Sequence, residues 1–345
     1  MIDDPKLAIV IVNYRTPELV ERCLKSLQAE RALCGPFEVV VADGGSGDGS
    51  DRKIAAAIEQ LNLAEWVTLL PLDFNGGFGW ANNQAALRLL QRDNPPEYIH
   101  FLNPDTEVQS GAIKALVTTL NQHAKVGAVG SQLIEDGRPV ASAFRFPSIG
   151  REFLHGGYMV GLGRFLGIKP IMIDPCPAGP VDWVTGASFM VRSETLRQSG
   201  LFDDGFFLYY EEVELMLRIN RAGWQIWHQP ESLVHHVGGA ATGVESGAIA
   251  TPNALPLYWF ESRMRFFTRS YGSTTTVVTN LAWLTSHVIW RLRCMLFSRL
   301  RFRQIPGQFS QILSVGIIPS KRDRVNGIAD WRSRVGERPL WSKST

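Results

Sequence analysis

The sequence predicts a doubly wound α/β fold on a mostly parallel sheet, followed by a helical, basic extension that faces a membrane. Three observations carry this. Continuous apolar runs at Leu7 to Val12, Phe37 to Ala42 and Tyr98 to Leu102 alternate with helical patterns, as strands buried on both faces of a parallel sheet do. The connections are short, and strand–helix–strand order in one sheet demands right-handed crossovers. Beyond Pro252 and Pro256 the strand signals stop and the chain reads as helices, so the division expected is residues 1–250 and 251–345.

Taken in order, Asn13-Tyr14-Arg15-Thr16-Pro17 breaks the first run, and Pro17 opens a helix over Glu18 to Gln28. The second run ends on the turn Asp43-Gly44-Gly45-Ser46-Gly47-Asp48-Gly49-Ser50. A helix from about Asp51 to Leu61 and a strand near Trp66 to Leu70 come next. Asn75-Gly76-Gly77-Phe78-Gly79 leads into a helix ending near Arg92, and the strand at Tyr98 closes on Asn103-Pro104-Asp105. Such sheets bind ligands beyond the carboxyl ends of their strands, and Asn13, Asp43, Asn75 and Asp105 all fall there. Gly137 to Pro180 is rich in Gly, Pro and Phe without a period, which predicts a long mobile segment near the site. Val181 to Val191 reads as a strand or bent strand pair around Thr185-Gly186-Ala187. Strands near Gln225–His228 and Ser232–His235 complete the body.

Forty-five per cent apolar and 20% charged residues over 345 positions fit a globular protein with a sizeable core. The start, MIDDPKLAIVIV, has no basic flank and too short an apolar run for a signal peptide. Cys23, Cys34, Cys176 and Cys294 have no paired spacing and are expected as reduced thiols in the cytoplasm. The net charge of +2 conceals an asymmetry, because no Asp or Glu occurs between Ser262 and Arg322 while ten basic residues do. Among them Arg291, Arg293, Arg299, Arg301 and Arg303 are interleaved with Trp283, Trp290, Leu292, Met295 and Leu296. That pattern suits an anionic membrane surface better than nucleic acid. Thr274 to Trp290 carries no formal charge, but it is shorter than the ~20 apolar residues a bilayer span needs and includes Thr, Ser, Asn and His. An interfacial helix is therefore expected, with packing on the body or across a homodimer as the alternative.

The chemistry is expected from Phe206 to Gly223. An aromatic run precedes Glu211 and Glu212, with Glu214 next, and apolar residues then follow at helical spacing. A helix N-terminus favours an ionised carboxylate, and an aromatic wall keeps one side dry, which suits a general base. Acidic residues are equally at home in any first turn, and Glu214 with Arg218 is also an ordinary i,i+4 pair. Asp43 among glycines suits a nucleobase or ribose edge, although the turn lacks the Walker and Rossmann spacings. Asp105 suits a hard cation completed by diphosphate oxygens, and His236, beside His235, is a further metal or phosphate contact. In Asp182-Trp183-Val184-Thr185-Gly186-Ala187, the small residues admit a substrate to the backbone and Trp183 can stack on a sugar. Each of these is also what a plain turn looks like when taken alone.

Together, AIVIVNYRTPELVERCLKSL, VVVADGGSGDGS, NGGFGWANN, FLNPDTEV, WVTGASFMVR, LFDDGFFLYYEEVELMLRINRAGW and HHVGG stand in the order and rough spacing of family 2 glycosyltransferases. Over residues 7 to 245 the chain resembles the rhamnosyltransferase-like branch, as does YWFESRMRFFTRSYG at 258 to 272. The resemblance implies a GT-A fold and inverting, metal-dependent transfer from a nucleotide-activated sugar, the branch pointing to L-rhamnose carried by dTDP, with UDP as the alternative carrier. It places Asn13, Tyr14, Asp43, Asp48, Asn75, Gly76, Gly77 and Asn103 at the donor. It puts Asp105 on Mg²⁺ or Mn²⁺, to which the reading of the residues adds His236, and Trp183, Thr185, Gly186 and Glu214 are expected at the acceptor or sugar pocket. Glu212 stands where the family has its base, an Asp, and Glu214 also replaces Asp. The longer side chain displaces a carboxylate by about 1 Å, a misplacement that can cost ~10²-fold. Whether Glu211 shares the role is left open, and a catalytically silent sugar-nucleotide or glycan-binding subunit is the competing reading. The acceptor implied is a glycan or lipid-diphosphate-linked sugar, met by a peripheral protein on the inner face of the cell membrane, in bacterial surface polysaccharide assembly.

Overall fold

A computed structural model describes residues 6–237, 254–296 and 306–342. Gly238, Gly239, Pro252, Arg299, Arg301 and Arg303, which the sequence singled out, lie outside them.

The first half builds the expected alternation. Strand β1 (Leu7–Asn13) leads to α1 (Pro17–Cys34), β2 (Glu38–Asp43) to α2 (Ser50–Gln60), and β3 (Val67–Pro71) to α3 (Phe78–Leu90). Then come β4 (Tyr98–Leu102), β5 (Thr106–Val108), α4 (Ala112–Gln122) and β6 (Val126–Glu135). Strands β3, β2, β1 and β4 are parallel neighbours, and β1 and β4 are buried almost throughout, which is why they read as unbroken apolar runs. Helix α1 runs six residues past its expected end. Buried Glu30 accepts from Gly111 N (2.6 Å) and Ile113 N (3.1 Å), so the added turn satisfies orphan N–H groups where α4 begins.

The 137–180 segment is ordered, contrary to expectation. It holds β7 (Arg138–Pro139), β8 (Ala143–Phe144), α5 (Ile149–Gly156), α6 (Val160–Phe165), β9 (Met172–Ile173) and β10 (Gly179–Val181). Its helices lie against the C-terminal extension, and none of its residues borders the main cavity. The chain continues through β11 (Trp183–Val184), β12 (Ser188–Arg192), α7 (Ser193–Ser199), α8 (Glu211–Arg221) and β13 (Gln225–His236). The two late strands expected are one strand, irregular in register between Gln229 and Leu233, where Pro230 interrupts the ladder. Among the described residues the sheet runs β10-β13-β6-β12-β4-β1-β2-β3, with antiparallel β12 joining the two parallel parts.

The extension is α9 (Leu257–Tyr271), α10 (Ser273–Leu296), α11 (Gln308–Val315) and α12 (Lys321–Arg324). Two of its arginines are structural. Arg263 pairs with Glu152 (2.6 Å) and Arg265 with Asp203 (2.6 Å), all four side chains being buried. Trp283 and Trp290, which the sequence offers to lipid, are each only 3% exposed. Trp283 stacks on His287 (4.8 Å) and Trp290 meets Tyr158 (5.1 Å), because their face of α10 covers α5. The tail then returns to the body. Leu201 N donates to Ala329 O (2.8 Å), Trp80 Nε1 to Glu337 O (2.7 Å) and Trp341 Nε1 to Gly76 O (3.0 Å). Among the described residues no helix is long and apolar enough to cross a membrane, and no disulfide joins any of the four cysteines.

Candidate active site

A cavity of about 600 Å³ opens beyond the carboxyl ends of β1 and β4, a size ordinary for a small-molecule site. Parallel register sets Asn13 beside Asp43, and Asn13 Nδ2 donates to Asp43 Oδ1 (2.7 Å). Ser46 donates to the same carboxylate through Oγ (2.6 Å) and through its backbone N–H (3.1 Å). Asp43 is thus engaged behind the wall, while Asn13, Tyr14 and Gly44 face the cavity.

The second wall is the glycine loop ahead of α3. Asn75 Oδ1 accepts from Gly77 N (3.0 Å), and Phe78 N donates to Phe207 O (3.1 Å). A Cβ on Gly76 would run into the Trp80 indole, and one on Gly77, whose φ is +86°, into Phe207 O. Glycine is therefore required at both. Asn75 and Gly77 line the cavity, whereas Gly76 is turned onto Trp80.

Opposite, the β4–β5 turn presents Asn103 and Asp105, and the end of β13 presents His236. His236 Nε2 lies 3.5 Å from Asp105 Oδ1, and His236 Nδ1 lies 2.8 Å from Glu135 Oε1. If Nδ1 donates to Glu135, Nε2 keeps its lone pair for the cavity. Asn103 Oδ1, Asp105 Oδ1 and Glu211 Oε2 are buried cavity atoms without a hydrogen-bond partner among the described residues. Two protein donors with an orphaned carboxylate oxygen fit a divalent cation whose remaining ligands come from a diphosphate. The described residues hold no cluster of three or more such side chains that would cage an ion unaided.

The chain enters α8 through Tyr209 and Tyr210, both at positive φ (70° and 68°), a strained conformation of the kind concentrated at functional sites. The reversal sends Tyr210 into the extension against Trp259 and Phe266 (5.4 Å each) and leaves Tyr209 stacked on Tyr258 (5.9 Å) at the cavity. Glu211 and Glu212 follow, both on the wall. Glu212 lies along Gly186, where an added Cβ would sit 3.5 Å from its Cγ. The helix dipole does not keep this pair ionised as expected. Burial pushes Glu212 up to about 7. Burial, then the charge of Glu212, holds Glu211 well above the carboxylate range. A dipole contributes at most ~1–2 kcal/mol, and withdrawing two adjacent carboxylates from water outweighs it.

Three further expected site residues are elsewhere. Asp48 is exposed and accepts from Ser50 N (3.0 Å) at the start of α2. Glu214 points away from the cavity, binding Arg218 Nε through both oxygens (2.8 and 2.9 Å). Trp183 stacks on Phe144 (4.2 Å) and donates to Arg145 O (3.1 Å), off the wall. Thr185 and Gly186 do line the cavity. Tyr258 is the first residue of the YWFESRMRFFTRSYG stretch but carries no site signal of its own there, and Glu135 carries none, since each acts through a residue ~50 to 100 positions away that only the fold supplies.

This sheet, with its strand-end cavity, defines a GT-A-type glycosyltransferase fold. The mannosyltransferase PcManGT from Pyrobaculum calidifontis, solved with GDP-Man and Mn²⁺, aligns with a TM-score of 0.53. The alignment covers 86% of this chain and 76% of that one at 14% identity. In sequence, residues 8–155 match the family described as Glycosyl transferase family 2. The N-acetylglucosaminyl-diphospho-decaprenol L-rhamnosyltransferase of Mycobacterium tuberculosis is 31% identical over 69% of this chain and 78% of its own length. Rhamnosyltransferase WbbL of Escherichia coli K12 is 26% identical over 64% and 80%. The chain belongs to glycosyl transferase family 2, and it is a glycosyltransferase of the rhamnosyltransferase-like kind.

Proposed function

We propose that the protein is an inverting glycosyltransferase of cell-surface glycan synthesis. In this reading it moves L-rhamnose from its dTDP form to a lipid-diphosphate-linked acceptor at the inner face of the membrane. The observation that carries the reading is the pairing of Glu212, held near neutrality, with Asp105 and His236 on the wall of one cavity. Glu212 takes the proton from the acceptor hydroxyl, whose oxygen attacks the anomeric carbon from the face opposite the diphosphate. The bond to the diphosphate oxygen breaks and its electron pair leaves with the nucleotide, so one displacement inverts the anomeric centre. Neutral Glu211, whose Oε2 has no other partner among the described residues, donates a hydrogen bond to a sugar hydroxyl. Asp105 Oδ1 and His236 Nε2 would hold Mg²⁺ or Mn²⁺, which would neutralise charge on the departing diphosphate. Asn13, Tyr14 and Asn75 frame the nucleotide, with Asp43 fixing Asn13 from behind. The relatives' names support the sugar and the acceptor, and the extended apolar face of the cavity at Phe207, Leu208 and Tyr258 supports a large acceptor.

Calorimetric titration with dTDP, UDP and GDP, each with and without Mn²⁺, tests the reading. One nucleotide is expected to bind in a metal-dependent manner, and Asp105→Ala is expected to abolish that dependence. Binding of none of the three would overturn the donor assignment and favour a silent glycan-binding subunit.

A further inference from the structure

The sequence points α10 at a membrane through its tryptophans, yet that face is buried. The opposite face is not. Val278, Leu281, Val288, Ile289, Leu292, Met295 and Leu296 follow one another at helical spacing along α10 and are all exposed, a stripe with no partner in the described fold. Beside it lies α6. His287 Nδ1 is 3.2 Å from Gly156 O and the Tyr158 ring packs on Trp290, so α6 begins alongside the last turns of α10. It adds Val160, Leu166 and Phe165, the last 86% exposed.

We propose that α6 and the outer face of α10 together form the surface by which the protein docks on an anionic bilayer. The proposal rests on the lipid-linked acceptor argued above and gives it a place of entry. Charge selects the occupant. In sequence the exposed apolar residues are interspersed with Arg164, Lys169, Arg291 and Arg293, Arg291 lying over the Phe309 ring (5.3 Å), and there is no acidic residue from 153 to 173 or from 262 to 322. Apolar side chains interspersed with basic ones match the boundary between acyl chains and anionic headgroups. A symmetric dimer through this face would set basic residues against their own copies. Position agrees as well. Helices α9 and α10 run antiparallel, Thr268 facing Thr276 and Arg263 facing Asn280. In that register the last turns of α10 reach about 14 Å past the start of α9, whose second residue, Tyr258, lines the cavity. The patch and the cavity thus share one end of the extension, and a bilayer at the patch would present a lipid-diphosphate headgroup near the aromatic wall.

Flotation of the full chain tests this. It uses vesicles of phosphatidylglycerol with phosphatidylethanolamine, and vesicles of phosphatidylcholine as the comparison. Wild type should float with the first in low salt and not with the second. Phe165→Glu with Leu292→Glu should lower the bound fraction at least ~10-fold, because two charges enter the apolar contact. Arg164→Gln with Arg291→Gln should abolish the preference for phosphatidylglycerol. An unchanged circular dichroism spectrum and nucleotide titration show that each variant is folded. Failure of wild type to float, or flotation of the Glu variant like wild type, overturns the proposal. So does a wild-type dimer that the Glu variant splits while neither binds vesicles. Flotation needs no nucleotide and the titration needs no lipid, so each reading can fail without the other.

Discussion

Glu212→Gln should stabilise the protein while abolishing its chemistry, and the stabilisation should depend on pH in a defined way. In the unfolded chain Glu212 titrates near 4.5, and in the fold burial raises it to about 7. The folded state therefore binds this proton more tightly than the unfolded one. Stability conferred by the protonated form is full below 4.5 and is lost as pH rises through 7. A difference of about 2.5 units corresponds to about 3 kcal/mol, so above neutrality the wild type is less stable by roughly that amount for holding this carboxylate charged. Glutamine has the shape of the neutral acid and never ionises. Urea unfolding of both proteins should give equal stability at pH 4.5 and a difference widening to about 3 kcal/mol by pH 8. Comparing the two proteins also removes an opposing contribution. His100, buried in β4 against Ser188 (2.9 Å), is held down to about 3, so acid below 6.5 weakens the fold in both. The same variant should bind nucleotide almost normally and transfer no sugar. Wild-type kcat/KM should rise with pH and level off above about 7, since the base works when ionised. A stability difference that is flat in pH would show Glu212 to be well hydrated, and transfer by Glu212→Gln at the wild-type rate would remove it from the reaction.

Two further perturbations probe the frame around the cavity. Glu135→Gln frees His236 to turn and weakens its imidazole as a ligand, so Mn²⁺ affinity in the presence of nucleotide should fall ~10-fold or more, read from the free Mn²⁺ signal in electron paramagnetic resonance; unchanged affinity would make Glu135 merely structural. Arg265→Met leaves Asp203 buried beside Gly205 N and Arg269, so urea unfolding should show a loss of about 3 kcal/mol, and a loss below ~1 kcal/mol would mean that water replaces the guanidinium.

The legible part of this molecule is the part encoded by local pattern. Apolar runs buried on both faces declare their strands, and polar residues at the ends of parallel strands are gathered by the sheet itself, which makes Asn13 and Asp105 legible. Direction within an element was much less legible. Glu214 lies two residues beyond Glu212 on the same helix, about 200° around the axis, and that turn carries it away from the cavity to Arg218. Trp283 and Trp290 share one face of α10, but which face the body covers depends on α5, a segment without readable periodicity, where Gly156 and Gly157 let α10 approach. The sequence also offers Asp43 as a contact, whereas in the fold its carboxylate accepts three hydrogen bonds from Asn13 and Ser46 and does not line the cavity.

The substitution of Glu for the family's Asp is where pattern and environment pull hardest against each other. Read from sequence, an added methylene threatens the alignment of the base. In the fold, that methylene runs along Gly186, where no side chain competes for the space, and the carboxylate still reaches the cavity wall. What the position demands is thus less a fixed chain length than an ionisable group withdrawn from water beside a second one. Glu211 meets that demand from behind by staying neutral, leaving Glu212 as the member of the pair that gives up its proton near neutral pH. The αL turns at Tyr209 and Tyr210 aim both carboxylates, and Tyr258 braces Tyr209 from the extension. The extension is therefore part of the cavity wall. A chain cut before Leu257 would keep Asp105 and His236 while losing both Tyr258 behind Tyr209 and the Trp341 bond to Gly76 O in the glycine loop.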